Sequence, residues 1–214
     1  MRHISPTQTD EDSPDYRGEH EAPCAGSGTP IWDLCGEAEI YPEDVYGPDA
    51  LRMYTDGDDE SSRESLSVLK AIKGSRGALV TIYRAVPYAP STQERLDELA
   101  SQKRAYLRRG ESPPNPMRYT GSQWYDWACD QEDELRASPA VAASFPSVIK
   151  TGDWVTLSRS YAVKHGKSNL KNEYKILSSK VPASQVFCDG NSLNEMGYWG
   201  PEIKLKVRLK SPGL

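Results

Sequence analysis

The sequence predicts an α+β sandwich, and three observations carry that prediction. Leu79–Pro87 is a short β-branched run ended by proline, which is strand chemistry. The segments 92–109 and 122–137 are long, charged and helical in pattern. Strands then resume at 153–158, 174–181 and 203–209, so helices are inserted among antiparallel-looking strands rather than alternating with parallel ones.

Taken in chain order, residues 1–36 are rich in Thr, Asp, Glu, Pro, Gly and Ser and poor in aliphatics. They are expected to form a disordered or loosely packed arm ahead of a domain at 37–214, with Trp32 and Leu34 as its first points of contact. Tyr41–Pro48 has turn chemistry interleaved with aromatics. Ser62–Lys73 is expected to be a helix: Leu66, Leu69 and Ile72 make its stripe, Val68 broadens it, and Gly74 and Gly77 stop it. Asp58, Asp59 and Glu60 suit the positive end of its dipole. Gly110 stops the 92–109 helix, a Pro113-Pro114-Pro116 linker follows, and the next helix holds Trp124, Trp127 and Leu135. A short helix is expected after Ser160, ending at His165-Gly166, and Cys188–Trp199 reads as a turn-rich loop between the last two strands.

Composition narrows the function classes. A net charge of −5 and a pI of about 5.3 oppose a bulk electrostatic grip on nucleic acid or an anionic membrane. No run reaches the roughly 18–20 apolar residues that span a bilayer. Met1-Arg2-His3-Ile4-Ser5 leads into acids and proline, so no signal peptide is expected. Cys24, Cys35, Cys129 and Cys188 form no C-x-x-C pair, and His3, His20 and His165 stand apart from them. Free thiols and no metal site are expected.

Three places break the local rules. Arg84 interrupts an apolar strand beside Tyr83 and Val86; it is either a solvent-facing edge residue or a phosphate-binding fork in a cleft. Thr156, Ser158 and Ser160 alternate onto one face where a strand runs into a helix. A helix cap accounts for one of those hydroxyls, and no neighbouring general base makes a serine nucleophile. Asp189–Trp199 delivers Glu195 beside aromatics.

This order, Tyr83-Arg84 in a strand, then Thr156-Leu157-Ser158-Arg159-Ser160, then Glu195 after Asp189-Gly190-Asn191-Ser192, resembles ADP-ribosyltransferases of the arginine–serine–glutamate class, including such domains in phage and bacterial multidomain proteins. The resemblance covers about residues 40–200 and implies a split β-sandwich with flanking helices. It implies NAD as substrate and ADP-ribose transfer to a macromolecular acceptor, protein or nucleic acid, in the cytoplasm of the producing or host cell, as a toxin-like or phage-encoded host modification. It gives Arg84 the pyrophosphate, Ser158 the nicotinamide ribose and the positioning of Glu195, and Glu195 the ribose 2′-hydroxyl and the oxocarbenium-like centre. Tyr83, Ser160 and Tyr161 join the NAD-binding set. Many members carry Glu or Gln two positions before the reacting Glu, where this chain has Leu193. NAD hydrolysis is therefore an alternative to transfer, Asn191 or Asn194 an alternative acceptor-orienting group, and a catalytically idle binding module a third reading.

A second departure is the stretch at about 88–147, expected to be a helical insertion. Its Lys103, Arg104, Arg108, Arg109 and Arg118, with Tyr106, Tyr119, Trp124, Tyr125 and Trp127, form either a solvated face or a docking surface for an acidic macromolecule. The acids Asp126, Asp130, Glu132, Asp133 and Glu134 blunt the second reading. Oligomeric state is not encoded legibly.

Overall fold

A computed structural model describes residues 21–36, 40–55, 60–109 and 121–205. The elements in order are β1 (Thr29–Pro30), α1 (Ala50–Tyr54), α2 (Glu60–Ile72), β2 (Leu79–Pro87), α3 (Thr92–Arg109), α4 (Gly121–Ala137) and β3 (Val148–Ile149). There follow β4 (Asp153–Val155), α5 (Arg159–Asn169), β5 (Tyr174–Pro182), β6 (Val186–Cys188), β7 (Met196–Tyr198) and β8 (Ile203–Lys204). They fall into two compact units, Met1–Pro87 with Ser147–Leu214, and Tyr88–Pro146.

The first unit is mixed α+β. Its longest ladder joins β2 to β5 antiparallel, from Leu79↔Pro182 to Pro87↔Tyr174. Val80, Ile82 and Val86 of β2 are buried, as are Leu177 and Val181 of β5. A four-stranded antiparallel sheet runs β1-β6-β7-β4, and β3 pairs with β8. One isolated bridge links β2 to the residue after β4: Tyr83 and Thr156 exchange both backbone hydrogen bonds, at 2.8 and 2.9 Å. Helix α5 packs on β2, β5 and α2.

Residues 21–36 correct the expectation of a loose arm. Ala22, Ile31 and Leu34 are buried, Ile31 N–H bonds the Val186 carbonyl at 3.0 Å, and the Tyr46 hydroxyl sits 3.0 Å from the Leu34 amide that donates to it. Three apolar side chains suffice there because the backbone completes a sheet edge. Residues 1–20 and the Pro113–Pro116 linker lie outside the described residues.

Three other boundaries moved. The strand expected at 153–158 stops at Val155, and of the one expected at 203–209 the described part is Ile203–Lys204. Helix α5 runs through Gly166 to Asn169, since a Cβ at 166 would collide with the Tyr174 ring and glycine there is a packing choice, not a stop. The expected loop contains β7, fully buried, with Gly197 bare against the Pro23 carbonyl.

The second unit is built on α3 and α4. Trp124 and Ala128 are buried, and the Tyr106 ring lies 5.7 Å from Trp124 and 5.6 Å from Tyr125. Lys103 pairs with Glu132 at 2.8 Å and sits over the Tyr125 ring. Lys103, Tyr106, Trp124 and Tyr125 are thus committed to helix packing, which removes them from the docking surface weighed above. Arg104, Arg108 and Arg109 are exposed.

The Gly197 contact gives a direct test. Gly197→Ala drives a methyl into backbone and is expected to cost on the order of 1–3 kcal/mol in urea unfolding. Gly77→Ala, with open space around it, is expected to stay within about 1 kcal/mol of the parent.

Candidate functional site

The turn between β4 and α5 is built on hydroxyls. Ser158 is the N-cap of α5, with extended backbone (φ −101°, ψ 120°), and its Oγ accepts the Tyr161 N–H at 3.0 Å. The same hydroxyl donates to Glu64 Oε2 at 2.7 Å. Glu64 Oε2 also accepts the Ser160 hydroxyl and the Ser160 N–H, each at 3.1 Å. Ser158 is 0% exposed, so the ribose contact expected of it is not available; it holds the turn instead. Nor does it hold Glu195, because its proton goes to Glu64.

Glu64 was not legible in the sequence. It stands outside the apolar stripe of α2, where an acid reads as solvated, and only its place beside Ser65 could have flagged it. Burial pushes its carboxyl up, but hydrogen bonds from Ser158, Ser160 and the Arg159 backbone outweigh that and hold it below the ordinary carboxylate value.

Glu195 is half-buried just before β7, and Tyr161 donates its hydroxyl to Glu195 Oε1 at 2.5 Å. Burial and that carboxylate push the Tyr161 phenol well above its usual range, so it remains a donor. The ladder Asp153↔Tyr198, Trp154↔Gly197, Val155↔Met196 ends one residue short of Thr156 on one strand and one residue after Glu195 on the other. Thr156 bridges to Tyr83, tying the chain that leaves β4 to β2. Before Glu195, Asn194 accepts from the Ser65 hydroxyl at 2.7 Å and donates to the Ser62 hydroxyl at 3.3 Å. Leu193 is 1% exposed and belongs to the core.

Arg84 falls on the same side of β2 as buried Val80, Ile82 and Val86, which rules out the solvent-facing alternative. Its guanidinium donates to Asp153 Oδ2 at 2.5 Å; Arg84 keeps 25% of its side chain exposed while Asp153 keeps 1%. Asp153 was visible in the sequence only as part of the Gly152-Asp153-Trp154 run, without a role. Its Oδ2 also accepts the Lys150 N–H at 2.7 Å.

The structure thus gathers the residues into two clusters on β4 and its continuation: Arg84 with Asp153, and Glu64, Ser158, Ser160, Tyr161 and Glu195 around the start of α5. Val155 is level with Arg84 when the Tyr83–Thr156 bridge is extended one residue, so roughly 10 Å of extended chain separates that level from Ser158. Two cavities lie elsewhere. One of about 260 Å³ is walled by Trp32, Phe187, Pro30 and Arg76, and one of about 400 Å³ by Leu96, Leu135, Arg136 and Val141; neither includes Arg84, Ser158 or Glu195. Among the described residues no group of three or more His, Cys, Asp or Glu could hold a metal ion, and no helix is long and apolar enough to cross a membrane.

The depressed Glu64 carboxyl has a signed consequence. Its ionised form stabilises the fold above the unfolded-chain value, and that contribution is lost as pH falls through the folded value. Glu64→Gln is expected to lose about 1–2 kcal/mol near pH 7 and to converge on the parent once pH has fallen below the folded-state value, read from urea midpoints.

Compared with protein-family models, with curated proteins and with solved structures, the chain gave no match in any of the three.

Proposed function

We propose that the first unit is an NAD-dependent mono-ADP-ribosyltransferase of the split β-sandwich type, acting on a protein or nucleic acid acceptor in the cytoplasm. The observation that carries this reading is the Tyr161–Glu195 hydrogen bond, formed where the Ser158 turn lies one bridge away from the Arg84 strand. Segments far apart in sequence, each weak alone, meet along one strand.

Each side chain then has a physical task. Glu195 presents a carboxylate to the positive charge that develops at the ribose as the nicotinamide bond breaks. Tyr161 fixes the rotamer of that carboxylate through Oε1. Arg84 is pre-oriented by buried Asp153, and the planar fork of its guanidinium suits a pyrophosphate. Tyr83 lies on the opposite side of β2 from Arg84, so its ring is not assigned to the cleft that Arg84 would line. Ser158 and Ser160 keep the turn in place.

The burial of Leu193 favours a second reading, NAD hydrolysis. The position that carries an acceptor-orienting Glu or Gln in many enzymes of this class is packed into the core. Water then competes with any macromolecule for the ribosyl centre.

Nicotinamide release from NAD tests both readings, and labelled NAD with lysate separates them by whether label stays free or joins a macromolecule. Glu195→Gln is expected to lower release at least about a hundredfold. Arg84→Lys, which keeps the charge near Asp153 but loses the fork, is expected to raise the KM for NAD about tenfold with a smaller change in kcat. Release by Glu195→Gln at the parent rate would remove the enzymatic reading.

A further inference from the structure

Helix α2 carries an unusual buried face. Ser61, Ser62 and Ser65 are buried beside Leu66, Leu69 and Ile72, so polar groups replace part of an ordinary apolar stripe. Buried hydroxyls are tolerated only when their bonds are made, and those of Ser62 and Ser65 are made across to the segment that carries Glu195. Ser62 and Ser65 hold Asn194, the residue before Glu195. Glu64, between them in sequence, holds Ser158 and Ser160, the residues before Tyr161. Tyr161 and Glu195 then bond to each other.

We infer that α2 is the positioning element of the site: Glu64 sets the turn from which Tyr161 orients Glu195, and Ser62 with Ser65 sets the backbone that carries Glu195. The inference rests on the reading of Glu195 as the reacting carboxylate. Three observations favour positioning over plain stability. The contacts on Glu64 converge on one oxygen, Oε2, which fixes a direction as well as a distance. The Ser158 hydroxyl relays that direction, accepting from the Tyr161 amide while donating to Glu64. The Asn194 side chain is gripped from both its oxygen and its nitrogen, which leaves its orientation no freedom. A leucine face would have buried as much surface without aiming anything.

The test compares Glu64→Ala, Glu64→Gln and Ser65→Ala with Tyr161→Phe in the full chain, each checked for folding by circular dichroism. The first readout is the carbon NMR signal of the Glu195 side-chain carboxyl. Tyr161→Phe removes its hydrogen bond outright and sets the reference shift. Glu64→Ala is expected to move the signal in the same direction, and Glu64→Gln, which keeps an acceptor oxygen, to restore much of it. The second readout is nicotinamide release: Glu64→Ala is expected to lower kcat about ten- to a hundredfold while KM for NAD changes less than about threefold. An unmoved Glu195 signal in folded Glu64→Ala and Ser65→Ala overturns the inference, whatever the activity. If the signal moves as expected while Glu195→Gln keeps full release, the positioning stands and the assignment of Glu195 falls.

Discussion

The reciprocal backbone bridge between Tyr83 and Thr156 is the constraint on which the first unit turns. Through it the β2–β5 ladder meets the chain leaving the four-stranded sheet, and the next two residues commit that chain to the Ser158 turn. A net contribution of about 1 kcal/mol for each backbone bond is small, so the bridge does not persist by its own strength. It is clamped from both sides, by Ile82 on one strand and by Val155 and Leu157 on the other, all of them buried. Packing supplies the stability, and the bridge supplies the register.

Charge is handled within the same economy. Asp153 is buried at the start of β4 and is answered by Arg84 and the Lys150 amide, while Glu64 is answered at the other end by hydroxyls and an amide. The difference matters. A guanidinium held by a buried carboxylate has its plane fixed while it keeps its positive charge. A carboxylate held by serines keeps its negative charge, because those donors favour the ionised form over the burial that opposes it.

Much of the scaffold was legible from periodicity. The β2 and α3 boundaries follow from proline and from charged helical spacing, and both elements appear where the sequence puts them. What escaped detection did so for identifiable reasons. Residues 21–36 contribute to the core through Ala22, Ile31 and Leu34, too few to register in composition. Strand β7 is three residues with a glycine at its centre, which looks like turn chemistry until the backbone of Pro23 is seen lying on it. At the candidate site Tyr161 came only with the resemblance carried by the Thr156–Ser160 run beside it, whereas Arg84 and Glu195 were visible because each breaks a local pattern. Glu64 and Asp153 were not, since an acid on a helix or at a strand start is ordinary until its partners, 94 and 69 residues away in sequence, are known.

The seat of Pro23 on Gly197 ties the earliest described part of the chain to the strand that begins one residue after Glu195. Mechanical load or steric bulk arriving from the N-terminal side is therefore delivered to β7 by direct backbone contact rather than dissipated in a tether.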